Sequence, residues 1–151
     1  DEPLVDIELL RKFSEFCVRN EMLDMASVMS PIASWEDIND PNVVKVTTNK
    51  SGEAITFSRS PLPYCRDIPL RQWPVNLYHR HVGIYAYKLK MLRELANTPE
   101  CNLEKLEKLE QLRAIWLGYR ISMLDWLEPL HAGVDSMADV ERVVKILTKN
   151  E

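Results

Sequence analysis

Residues 78–87 read Tyr78-His79-Arg80-His81-Val82-Gly83-Ile84-Tyr85-Ala86-Tyr87. Alternate residues of a strand share a face, so the pattern predicts a strand over 82–87. His81, Gly83, Tyr85 and Tyr87 then point together, while Val82, Ile84 and Ala86 face an apolar side. Residues 88–96 switch to helical periodicity. Outward from this stretch, 6–19 is an amphipathic helix with Ile7, Leu10, Phe13, Cys17 and Val18 near one face, and 25–32 is a strand. A turn-rich connection covers 31–41. Residues 43–48 and 54–58 form a hairpin joined through Asn49-Lys50-Ser51-Gly52. Four prolines make 60–74 an irregular loop. Residues 102–119 read as one helix stopped at Gly118, 121–126 as a strand, and 136–148 as a helix whose Ser136 and Asp139 have capping-box spacing. Strands and helices mixed along one chain indicate α/β.

Composition narrows the class. The chain has 151 residues, enough to bury one core, with 46% hydrophobic and 28% charged residues. No apolar run approaches the roughly 20 residues that span a bilayer, which excludes a membrane helix as the expected state. The net charge of −4 argues against a nucleic-acid partner. Basic residues at Arg59, Arg66, Arg71, His79, Arg80 and His81 could still gather into a local anion site. Cys17, Cys65 and Cys101 are odd in number and lack zinc spacing, which suits a reducing cytoplasmic compartment. Glycines at 52, 83, 118 and 133 form no phosphate-cradling loop. The opening Asp1-Glu2-Pro3, with no initiator methionine, suggests a piece of a longer chain. Apolar runs at Val43-Val44 and 121–124 want cover on both faces, as in a sheet with further strands elsewhere.

Three clusters carry candidate chemistry. In the 82–87 strand, Gly83 between His81 and Tyr85 leaves room for a ligand; the alternative is a surface aromatic strand with a solvated histidine. In the 102–119 helix, Leu106, Leu109, Leu112, Trp116 and Leu117 make an apolar arc that also contains Glu110 and Arg113. A carboxylate there needs a partner. Either Arg113 supplies it at i,i+3, or Glu110 faces a polyhydroxylated ligand beside Gln111, the two offering acceptors and donors together. In Gly133-Val134-Asp135-Ser136, Asp135 either caps a helix or ligates magnesium, with Asp1 as the second carboxylate. Arg59 suits two-pronged binding of a carboxylate, or a surface ion pair.

In order along the chain, Asp1-Glu2-Pro3, Asn42-Val43-Val44-Lys45-Val46, Ser58-Arg59-Ser60-Pro61-Leu62-Pro63, the segment from His81 to Tyr87, Leu109-Glu110-Gln111-Leu112-Arg113 and Gly133-Val134-Asp135-Ser136 resemble the 3-deoxy-manno-octulosonate cytidylyltransferase (CMP-KDO synthetase) family. Leu62 and Ala86 replace that family's usual isoleucine and glycine. The resemblance implies a mixed sheet with flanking helices, the C-terminal part of a nucleotide-diphospho-sugar-transferase-like (Rossmann-like) fold. It implies that 1–151 forms the sugar-binding and dimerisation portion of a homodimer whose N-terminal CTP-binding portion is absent. It assigns Asp1 and Asp135 to Mg2+, the cofactor, and Arg59, His81, Tyr85, Glu110 and Gln111 to KDO. The implied reaction is attack of the anomeric hydroxyl on the α-phosphorus of CTP, giving CMP-KDO and pyrophosphate for lipopolysaccharide synthesis, with the 151 residues inactive alone. A sister enzyme for an amino-substituted KDO or a sialic acid is the competing expectation. A non-catalytic dimerisation or sugar-binding module is another.

Overall fold

The computed structural model describes residues 5–20, 23–129 and 144. Along them run α1 (Ile7–Arg19), β1 (Met25–Pro31), α2 (Trp35–Asn39), β2 (Lys45–Thr48), β3 (Ala54–Ser58), β4 (His79–Tyr87), α3 (Leu89–Asn97), α4 (Asn102–Glu107), α5 (Gln111–Trp116) and β5 (Ile121–Asp125). The strands form a mixed sheet in the order β3-β2-β4-β1-β5, so the expected α/β class with flanking helices is what the chain adopts. β1 runs antiparallel to β4 and parallel to β5. At the outer edge of β5, the Met123 N–H donates to Gly52 O at 2.9 Å, so the hairpin tip curls against that strand. Gly52 sits in this tip at φ +75, a conformation that costs glycine little.

Each sheet face has its own core. On one, Met25, Met29, Val46, Phe57, Ile121 and Met123 pack with Met91, Leu95, Leu109 and Leu112 from the helical segments after β4, and Tyr85 and Tyr87 lie against them. On the other, Leu9 and Phe13 of α1 pack on Ala26, Val28 and Trp126, beside Val82, Ile84 and Ala86. The period-two division of β4 is thus realised: its aromatic side and its small aliphatic side meet different layers. Burying each large apolar side chain contributes roughly 1.5–3 kcal/mol. A third cluster, Ile32, Ile38, Val43, Trp73 and Tyr78, packs the connections together.

Several local expectations change. α1 is capped by Asp6, whose side chain accepts from Glu8 N at 2.7 Å, but its inward stripe is Leu9, Phe13, Phe16 and Cys17; Ile7, Leu10 and Val18 are exposed. The 31–41 connection contains α2, started by Ser34, which accepts from Asp37 N. β2 begins at Lys45 because Val43 turns away into the third cluster. β4 starts at His79, earlier than residue 82, because β1 pairs with it as far as Pro31 opposite His79. The proline-rich loop includes a 3-10 turn at Leu70–Gln72.

The largest correction concerns 102–119, which is two helices. Lys108 takes φ 55, ψ 45, a left-handed conformation that ends α4 before α5 begins at Gln111. Arg113 then reaches the buried Glu104, not Glu110: its Nη2 donates to Oε1 at 3.0 Å, and Nε lies 2.9 Å from Oε2, off the hydrogen-bond line. In one straight helix, residues nine apart sit about 180° round the axis and roughly 13 Å along it, out of reach. Arg113 Nη1 also donates to Leu95 O and Thr98 O, satisfying carbonyls at the end of α3. With the helix broken, Leu106 and Trp116 of the supposed apolar arc are exposed.

Candidate functional site

β4 supplies the centre of the site. His81 lies edge-on to Phe57 of β3, with ring centroids 4.9 Å apart, and 5.4 Å from Tyr85, which is 5.8 Å from Tyr87. Gly83 is exposed, and nothing lies within 4 Å of where a Cβ would stand, so this strand has open space beside its backbone. His81 is not a solvated surface imidazole. Its Nε2 is 2.8 Å from the Oγ of Ser27, a fully buried residue of β1. Burial lowers the imidazole pKa to about 4, so the ring is neutral near pH 7.

The start of α5 meets the same face. Glu110 is exposed rather than buried in an apolar arc, and its charge reaches both tyrosines. Burial, then Tyr87 and Glu110, push the Tyr85 phenol well above its ordinary value. Burial and then Glu110 push Tyr87 up to about 12. Both therefore stay protonated donors at neutral pH. Gln111 is only 2% exposed, and its Nε2 has no hydrogen-bond partner among the described residues. A buried amide donor left without a partner costs about 1–3 kcal/mol.

Arg59, just beyond β3, takes no surface ion pair through its guanidinium among the described residues. Nε donates to Glu107 O at 2.7 Å and Nη1 to Pro41 O at 2.8 Å, which leaves Nη2 without a partner among the described residues. The anion cluster suggested by the basic residues does not assemble as one group. Arg66 approaches Asp67 and Arg71 lies over the Trp35 ring. Asp1 and Asp135, the expected magnesium pair, lie outside the described residues, as does the 136–148 helix apart from Val144.

Three residues of this neighbourhood escaped the sequence patterns. Glu107 accepts from Ser58 Oγ at 2.8 Å and from Arg59 N at 2.9 Å, fastening α4 to the end of β3. Lys45 is fully buried; its Nζ donates to Asp40 O and Val43 O, and burial lowers its pKa. A lysine inside the apolar run 43–46 was the available signal. Ser27, the partner of His81, has none: a hydroxyl in a buried strand looks like any small core residue.

A family model described as "Cytidylyltransferase" matches residues 1–121. The chain belongs to the cytidylyltransferase family. Within it, 3-deoxy-manno-octulosonate cytidylyltransferase 2 of Paraburkholderia phytofirmans is 51% identical over 150 residues, 99% of this chain and 57% of that protein. The 3-deoxy-manno-octulosonate cytidylyltransferase of Polynucleobacter necessarius is 41% identical over 150 residues, covering 99% of this chain and 58% of its own length. A solved structure of CMP:2-keto-3-deoxy-manno-octonic acid synthetase complexed with CTP superposes with a TM-score of 0.87 at 30% identity, over all of this chain and 60% of that one. The chain therefore spans somewhat over half the length of these cytidylyltransferases. No helix among the described residues is long and apolar enough to cross a membrane.

Proposed function

We propose that this chain is the sugar-facing, C-terminal portion of a cytoplasmic, homodimeric cytidylyltransferase that joins KDO to CMP for lipopolysaccharide synthesis. The observation that carries the reading is the exposed Glu110, whose charge reaches Tyr85 and Tyr87 on the His81 face, followed in the chain by a Gln111 whose buried Nε2 has no partner among the described residues. A polyol needs acceptors and donors in alternation. Glu110 accepts, Gln111 and the protonated tyrosines donate, and the open strand at Gly83 admits a ring. The Nη2 of Arg59, without a partner among the described residues, suits the sugar's carboxylate.

In the reaction, the anomeric oxygen of KDO bonds to the α-phosphorus of CTP, the bond to the bridging oxygen breaks, and pyrophosphate leaves with its electron pair while the hydroxyl proton is released. This chain's part is to bind and orient the sugar so that its anomeric oxygen is presented to the nucleotide. Magnesium, held by Asp1 and Asp135, would screen phosphate charge.

The test uses the complete protein. Pyrophosphate release from CTP should depend on added KDO, and Gln111→Ala should raise the KM for KDO about tenfold or more while leaving the KM for CTP within about twofold. The 151 residues alone should release none. Preference for an amino-substituted KDO or a sialic acid over KDO, or equal KM changes for both substrates, would overturn the assignment.

A further inference from the structure

Ser27 is 0% exposed and sits on β1 at the irregularity where the register with β4 shifts between Ala26 and Val28. Its Oγ has three polar neighbours: Ile84 O at 2.9 Å, Val82 O at 3.3 Å and His81 Nε2 at 2.8 Å. A hydroxyl carries one proton and two lone pairs. Carbonyl oxygens can only accept, so the single proton serves one of them; directed at His81 instead, it would leave oxygen lone pairs opposed at 2.9 Å inside the core. With the proton on the carbonyl side, the Oγ lone pairs face the imidazole, and Nε2 must bring its own hydrogen. A neutral imidazole has one N–H. Nδ1 is then bare, and no described residue donates to it.

We infer that Ser27 is a positioning residue that holds His81 as the Nε2–H tautomer, so that Nδ1 is a hydrogen-bond acceptor for a ligand hydroxyl. This rests on the sugar-binding reading and sharpens it. A bare nitrogen lone pair repels carboxylate and phosphate oxygens but accepts from an alcohol. His81 therefore selects a hydroxyl of the sugar, and the anionic group is left to Arg59, whose Nη2, unoccupied among the described residues, is a pure donor.

Long-range 1H–15N correlations of the imidazoles in the complete, 15N-labelled protein test the tautomer directly. The wild type should have a protonated Nε2 and a bare Nδ1 at neutral pH. Ser27→Ala should convert His81 to a tautomer mixture and weaken KDO binding about tenfold, with CTP binding unchanged. Ser27→Thr, which keeps the hydroxyl, should restore both. A protonated Nδ1 in the wild type overturns the inference, and that measurement stands even if Ser27→Ala fails to fold. A Ser27→Ala protein that keeps the Nε2–H tautomer and its KDO affinity overturns it as well. Should the wild type have the expected tautomer yet bind no KDO, the sugar reading fails while the Ser27–His81 arrangement survives.

Discussion

Among the described residues, His81 contacts groups that carry no charge in the mildly acidic range: the Ser27 hydroxyl, the Phe57 ring and the Tyr85 phenol. Its pKa falls from an ordinary 6.5 to about 4 on folding. As pH drops through 6.5, the unfolded chain takes up a proton that the folded one refuses, so the neutral imidazole's contribution to stability is present above 6.5 and lost on the way to 4. The loss approaches about 3 kcal/mol at full extent. Urea unfolding of the complete protein should lose about 2 kcal/mol more between pH 7 and pH 5 than its His81→Gln variant does. Equal losses would show that burial does not suppress protonation here. Both His81 and Tyr85 were legible because strand alternation puts residues two apart on one side. Ser27 was not, since its partner is 54 residues away in sequence and only the pairing of β1 with β4 brings them together.

Two short helices occupy the place of the single helix that the apolar spacing of 102–119 suggests, and the difference rests on one backbone conformation. Lys108 pays the left-handed strain of a non-glycine residue. Lys108→Gly should therefore leave stability unchanged or raise it by about 0.5–1 kcal/mol, measured by urea unfolding. A continuous helix predicts the opposite sign, a loss of about 1 kcal/mol. The break at Lys108 also explains why Glu110 is exposed while Glu104 is buried on Arg113. Periodicity assigns residues to faces of an element it assumes straight, so it put Glu110 in a buried arc when the residue is exposed. Lys108 bears no mark of a stop; glycine does, and at Gly118, φ +85, the expected end is where the chain leaves α5.

The sheet divides the molecule into two apolar layers that share a backbone but few side-chain contacts. Phe13 belongs to the α1 side and Leu112 to the α5 side. Each truncation to alanine should cost about 2–5 kcal/mol, and the double variant should lose the sum within about 0.5 kcal/mol, since residues on opposite faces of a sheet share no partner. A coupling above about 1 kcal/mol in a double-mutant cycle would mean that the two layers are not independent. By itself the amino-acid sequence determined the α/β class, four of the five strands to within about two residues, and the face on which His81 and Tyr85 stand, because hydrophobic alternation and turn chemistry are local and act before the chain is packed. Strand order, the left-handed break at Lys108, the Glu104–Arg113 pair, the burial of the Gln111 side chain and the Ser27 contact to His81 were decided only in the tertiary structure. Each depends on groups distant in the chain competing for one buried partner, and no local pattern records which of them wins.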